Sequence, residues 1–223
     1  IIDEMFAFDE RRVIDLCDRI IGKKYDLNIW AYARVDTINP RMLQKMKKAG
    51  INWLGIGFES GSKKIRDKVS KGKFDNEKIK SVVKMIHDAR LYINGNFIFG
   101  LPDDDLATMQ ETLDLAKELN CEYGNFYVTM AYPGSKLYEE AKKEGIELPK
   151  EWLGYSQLNF ETFPLATKHL SNVDVLAFRD KAFNEFYTNK NYLDMIEKKF
   201  GVDTVEHVKD MLKFKLKRRL LES

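Results

Sequence analysis

Trp53-Leu54-Gly55-Ile56-Gly57-Phe58 is a short apolar run with two glycines, and it leads directly into Glu59-Ser60-Gly61-Ser62. Its length suits a strand, and glycines inside a strand let a second backbone or a ligand come close. A short helix is expected from Ser62. Working back from this strand, Asn39-Pro40 supplies an N-cap followed by proline at the first helical position. Met42, Leu43, Met46 and Ala49 then run at helical spacing to a stop at Gly50. Before that helix lies a strand from Ile29 to Ala33, and before that a helix bearing Val13, Leu16, Cys17, Ile20 and Ile21 up to Gly22. Ile1-Ile2 reads as the end of a first strand.

The same alternation continues downstream. Asp75 caps a helix with Ile79, Val82, Val83 and Ile86 on one face, and Ile93 to Phe99 is the fourth strand. A helix with Met109, Leu113, Ala116 and Leu119 follows, then a fifth strand from Tyr123 to Met130 and a helix capped by Ser135. Strands and helices in strict alternation build a parallel sheet. The fold class is therefore α/β, as a partial parallel (β/α) barrel of the TIM kind with about five strands. An open doubly wound sheet is the competing arrangement, but no GxGxxG stands at the first strand-to-helix junction. After residue 148 the pattern changes. Residues 151–170 are aromatic and loop-like, and 171–221 read as two or three helices with no strand between them. The expected organisation is a partial barrel over 1–148 and a helical C-terminal extension over 149–223, packed on the barrel through Phe178, Phe183, Phe186, Tyr187 and Tyr192.

Composition narrows the classes of function. With 223 residues and 44% hydrophobic content the chain can bury a substantial core. Lys plus Arg number 37 against 35 Asp plus Glu, so a net charge of +2 argues against a phosphate-tracking surface and against nucleic acid. The basic run Lys213, Lys215, Lys217, Arg218, Arg219 is read as a solvated helix end. No apolar run approaches the ~18 residues of a membrane span. Cys17 and Cys121 are far apart and form no CxxC, so no disulfide framework follows and a cytoplasmic location is expected. His87, His169 and His207 are scattered and show no metal-ligand spacing. The start lacks an initiator Met and opens in mid-strand, as though a segment once preceded it. Edge strands of an open barrel would then be exposed, which suggests a homodimer formed across them.

Chemistry in such folds sits at the carboxyl ends of the strands. Polar residues occupy those ends here: Asp3 and Glu4, Arg34 and Asp36, Glu59 and Ser60, with Asn96 inside the fourth strand. Glu59 can accept hydrogen bonds from two neighbouring hydroxyls, as in a ribose diol; the alternative is that it caps the helix near Ser62 or pairs with a lysine. Lys71 could meet a ligand carboxylate or be an ordinary surface lysine. Asn96, in an apolar strand, must find partners or cost about 1–3 kcal/mol, and those partners are either a ligand or else a neighbouring strand or water.

Five segments in order, Ala33-Arg34-Val35-Asp36-Thr37-Ile38-Asn39-Pro40, Lys47-Lys48-Ala49-Gly50, Gly55-Ile56-Gly57-Phe58-Glu59-Ser60-Gly61-Ser62, Phe97-Ile98-Phe99-Gly100-Leu101-Pro102 and Tyr132-Pro133-Gly134-Ser135-Lys136-Leu137-Tyr138, resemble the middle of the radical S-adenosylmethionine superfamily. Asp3-Glu4-Met5-Phe6 and the Glu-Ser-Gly-Ser run look most like the branch whose members often carry a cobalamin-binding domain ahead of the barrel, among them anaerobic porphyrin cyclases and methyltransferases. The resemblance implies an enzyme that cleaves S-adenosylmethionine reductively, acts on a small organic substrate, and uses a four-iron, four-sulfur cluster, with cobalamin available through a further domain. It implies that Glu59 and Asn96 face the ribose, Lys71 the methionyl carboxylate, and Asp3 or Glu4 the methionyl amine. Arg34 would contact cofactor or substrate, and backbone near Leu101 and Met130 would flank the adenine. The CxxxCxxC loop that holds the cluster in the family is not in this chain, and Cys17 and Cys121 lack neighbours at ligand spacing. The isolated chain is therefore expected to be inactive. Two rival readings are a Schiff-base barrel lyase using Lys71 and Glu59, and a non-catalytic barrel fragment that binds a partner.

Overall fold

A computed structural model of the chain describes residues 1–69 and 74–222. Four parallel strands form one sheet in the order β1 (Ile29–Ala33), β2 (Ile51–Glu59), β3 (Tyr92–Phe99) and β4 (Tyr123–Val128). Spatial order follows chain order with no reversal. Helix α1 (Glu10–Gly22), which precedes β1, and the crossover helices α2 (Pro40–Lys48), α4 (Asn76–Asp88) and α5 (Leu106–Leu119) pack successively against one another on a single side, with the short α3 (Lys63–Lys68) between β2 and α4. A doubly wound sheet reverses its order and carries helices on both faces. The observed order is that of a barrel segment.

Strand burial alternates with period two, and this separates the two faces. Ala31, Leu54, Ile56, Phe58, Ile93, Phe97, Phe99 and Phe126 are buried beneath the helices in the main core. The opposite face carries Tyr32, Gly57, Asn94, Asn96, Asn125 and Tyr127, all partly exposed. Helix starts follow the expected capping chemistry: Asn39, Asp75 and Ser135 accept from the backbone N–H groups of Met42, Lys78 and Tyr138. Ser135 opens α6 (Lys136–Lys143). Ser62 precedes α3 without a capping bond from its side chain.

Two expectations need correction. Ile1 and Ile2 form no strand; Ile2 is fully exposed, and the Ile1 ammonium donates to the Trp30 carbonyl oxygen at 2.7 Å. The sheet therefore has four strands among the described residues rather than about five, since one hydrogen bond does not make a ladder. The last strand ends at Val128, not Met130; the Thr129 N–H and hydroxyl both donate to the Phe99 carbonyl just past the last pair.

The C-terminal part contains α7 (Asn172–Tyr187), α8 (Lys190–Phe200), α9 (Val202–Lys213) and a single turn α10 (Arg219–Glu222). Phe178, Phe186 and Tyr187 from α7, Tyr192 and Ile196 from α8, and Val205 and Val208 from α9 belong to the same core as the sheet. Side chains from this part also occupy the free edge of β4. The Tyr187 hydroxyl accepts from the Gly124 N–H (3.1 Å) and donates to its carbonyl (2.9 Å), Arg179 Nε donates to the Phe126 carbonyl (2.8 Å), and the Gln157 amide bonds both the N–H (3.0 Å) and the carbonyl (2.9 Å) of Val128. These side chains satisfy the edge groups that a fifth strand would otherwise use.

Candidate functional site

Gly57 and Glu59 define the site. The β2–β3 register shifts between them, so that Gly57 pairs with Asn96 and Glu59 with Phe97. Such a bulge re-aims a side chain. Glu59 has φ +63, a left-handed conformation that costs a non-glycine residue about 1–2 kcal/mol. The loop after it is tightly held. Ser60, Ser62 and Arg66 are buried, and the Thr112 hydroxyl of α5 meets the Ser60 hydroxyl at 3.2 Å and accepts from the Gly61 N–H at 2.9 Å. Arg66 donates to the Ser60 carbonyl, and at Gly61 a Cβ would lie 2.1 Å from the Glu111 carbonyl oxygen. The packed loop thus pins the backbone that carries the strained Glu59.

The re-aimed carboxylate lies above Gly57, in a cavity of about 280 Å³ lined by Glu4, Met5, Tyr32, Arg34, Glu59, Phe74 and Asn96 with neighbouring backbone. Four of the seven residues expected at the site, Glu4, Arg34, Glu59 and Asn96, therefore share one hollow. Arg34 is held by a two-pronged ion pair to Asp36 (2.9 and 2.8 Å), which raises its pKa and lowers that of Asp36, chiefly through that hydrogen bonding. Of the two acidic candidates at the start, Asp3 is engaged by Arg12 and by the Met5 N–H, which hold its carboxyl below the usual range, while Glu4 lines the cavity. Asn96 meets both alternatives posed for it: it faces the cavity and is also bonded to both neighbouring strands.

Lys71 lies outside the described residues. Leu101 and Met130 are not brought to this cavity. Gly100, at φ +77, turns the chain so that Leu101 gives its N–H to the buried Asp104 carboxylate (2.8 Å) and faces a separate hollow with Lys68 and Asp103. Met130 packs with Val128, Val175 and Leu176. Tyr32, Phe74 and Asn125 were not singled out beforehand. For Asn125 the signal was its position one strand over from Asn96 in an alternating pattern.

Cys17, on α1, and Cys121 are both buried; burial pushes the Cys17 thiol up to about 11 and Cys121 also upward, which opposes the thiolate form that ligates iron. Among the described residues no group of three or more His, Cys, Asp or Glu could hold a metal ion, and no helix is long and apolar enough to cross a membrane.

With this geometry in view, the comparisons with known proteins fall into line. Residues 8–116 match the model of the Radical SAM superfamily. It is 29% identical over 192 residues to an uncharacterized methyltransferase of Pyrococcus horikoshii, covering 86% of this chain and 41% of that protein. It is 24% identical over 195 residues to the anaerobic magnesium-protoporphyrin IX monomethyl ester cyclase of Rubrivivax gelatinosus, covering 86% and 34%. The fold resembles that of the cobalamin-dependent S-adenosylmethionine radical enzyme OxsB, with a TM-score of 0.57 at 14% identity over 96% of this chain and 36% of that one. The chain spans less than half the length of these relatives.

Proposed function

We propose that this chain provides the S-adenosylmethionine-binding part of a radical S-adenosylmethionine enzyme that acts on a small organic substrate, in the branch that includes methyltransferases and the anaerobic cyclase. The helices of 149–223 act as an extension that closes the last edge of the barrel segment. The observation that carries this reading is the meeting in one cavity of Glu4 from the N-terminal turn, Arg34 and Glu59 from the ends of β1 and β2, and Asn96 from within β3.

The donor set suits a sulfonium nucleoside. A carboxylate can accept from one hydroxyl of a diol while a half-buried amide beside it donates to the other. Glu4, at the open rim, can neutralise an amine, and Lys71 would take the methionyl carboxylate. Arg34 is held rigid by Asp36 and offers its remaining N–H groups to cofactor or substrate. Bound S-adenosylmethionine would supply a carbon–sulfur bond that yields a reactive carbon radical on one-electron reduction by a donor outside these residues; the part of this chain would be to orient it. The two cysteines do not fit an iron–sulfur cluster, being buried and unaccompanied, so no step through a cluster follows from these residues and the chain alone neither binds one nor turns over. Cobalamin, like the cluster, would be held elsewhere in the whole protein.

Calorimetric titration of S-adenosylhomocysteine, which needs no turnover, tests the reading. Measurable binding is expected for the chain, with about tenfold or greater weakening in Glu59→Gln, because one charged acceptor is lost. No binding, or equal binding by both proteins, would overturn it.

A further inference from the structure

Gly57, Asn96 and Asn125 stand in one row across β2, β3 and β4, each the register partner of the next, and the Glu59 carboxylate lies over the first of them. Asn125 Nδ2 donates to Asn96 Oδ1 at 2.9 Å and to Asn94 Oδ1 at 3.1 Å, so both its amino protons are spent on the neighbouring strand. On the other side Asn96 Nδ2 faces the Ile56 carbonyl at 3.5 Å. An Asn96 oxygen in that place would oppose the carbonyl lone pairs. The orientation of the Asn96 amide is therefore fixed from both sides, its oxygen toward β4 and its amino group toward β2.

We propose that Asn125 is a positioning residue that sets the polarity of Asn96. By occupying the Asn96 oxygen it leaves the amino group as the part of Asn96 that a ligand meets, next to the Glu59 acceptor. A donor beside an acceptor on one face matches a vicinal diol, one hydroxyl giving its proton to Glu59 and the other accepting from Asn96. This deepens the proposed function and rests on its reading of the cavity. Without Asn125 only the long contact to the Ile56 carbonyl, at 3.5 Å, still holds the Asn96 amide; the amide turns more readily, and selectivity for the diol falls while contacts with the rest of the ligand remain.

The test is calorimetry on the whole chain with S-adenosylhomocysteine and its 2′-deoxy and 3′-deoxy forms, for the native protein and Asn125→Leu. The native chain is expected to prefer the diol over at least one deoxy form by about tenfold, the worth of one good hydrogen bond. Asn125→Leu is expected to bind that deoxy form as the native chain does, with the preference reduced to about twofold or less. Loss of affinity for every ligand in equal measure would mark Asn125 as structural only and overturn the proposal, as would a preference retained in full. If the native chain binds nothing, the reading of the cavity itself fails; if it binds all forms equally, the diol assignment fails. Should Asn125→Leu not fold, Asn125→Ser, which is small and cannot span to both partners, takes its place with the same expectations.

Discussion

The carboxylate of Glu59 lies directly over the α-carbon of Gly57: a Cβ on Gly57 would sit 2.4 Å from Glu59 Oε1. Among the described residues, its chain neighbours aside, such a Cβ would meet only the Glu59 side chain within 4 Å, and Gly57 itself has no left-handed φ. The glycine in this strand therefore makes room for an acid, not for a turn.

Gly57→Ala follows from that contact. Among the described residues the added methyl need displace only the end of the Glu59 side chain, so stability should change by no more than about 1 kcal/mol. Binding of S-adenosylhomocysteine should weaken by about tenfold or more, because the carboxylate leaves its place. Urea denaturation and calorimetry measured together check the split; a large loss of stability with binding intact would contradict it.

A second relationship ties the helical extension to the base of the sheet. Glu122, just before β4, has no exposed side-chain surface; it accepts from the Ile93 N–H (2.8 Å), pairs with Lys199 of α8 and meets His87 of α4 (3.2 Å). Burial alone would raise its pKa, but the hydrogen bonds from His87, Lys199 and the backbone outweigh burial and hold it below the usual 4.5. A carboxylate depressed in the folded state adds stability above its unfolded pKa and loses it as pH falls through the folded value. Glu122→Gln should thus cost about 3–5 kcal/mol at pH 7, with Lys199 losing its counter-charge, and the gap to the native protein should shrink as pH drops below about 4.5. Denaturation midpoints from pH 7 to pH 3 measure this; a gap that does not vary with pH would count against it.

The free edge of β4 gives a third expectation. Tyr187→Phe leaves the Gly124 N–H and carbonyl without their partner in a buried place, at a cost of about 1–3 kcal/mol. Adding Gln157→Ala opens Val128 as well, and the double variant should self-associate through the uncovered edge. Light scattering after size exclusion distinguishes this from a variant that is merely less stable and stays at the native mass.

Much of this architecture was legible because it rests on local chemistry. Asn39-Pro40, Asp75 and Ser135 announce helix starts with their own side chains, and the two-residue period of Ile93 to Phe99 announces a strand. Ile1-Ile2 misled because two apolar residues at a chain start look like a strand end whether or not a neighbour pairs with them. Polar strand ends pointed to Glu4, Arg34, Glu59 and Asn96, which the fold brings to one cavity. Leu101 and Met130 do not reach it, since the turn at Gly100 and the packing of Val175 against it carry the following residues elsewhere. The bulge that re-aims Glu59 has no signature in residue type, because a glutamate at positive φ is held there by the packing of Ser60, Gly61 and Arg66 rather than by its own preference. Asn125 acts through a partner on another strand, and only the register reveals that partner.

In the proposed reading, Glu4, Arg34, Glu59 and Asn96 form one site for a sulfonium nucleoside. The most direct measurement is a nitrogen-resolved NMR titration of the chain with S-adenosylhomocysteine, following the side-chain amides of Asn96 and Asn125 and the backbone amides of Arg34 and Glu59. The account predicts saturable shifts at these groups together, with a single dissociation constant. Shifts confined to other regions, or none up to millimolar ligand, would contradict it.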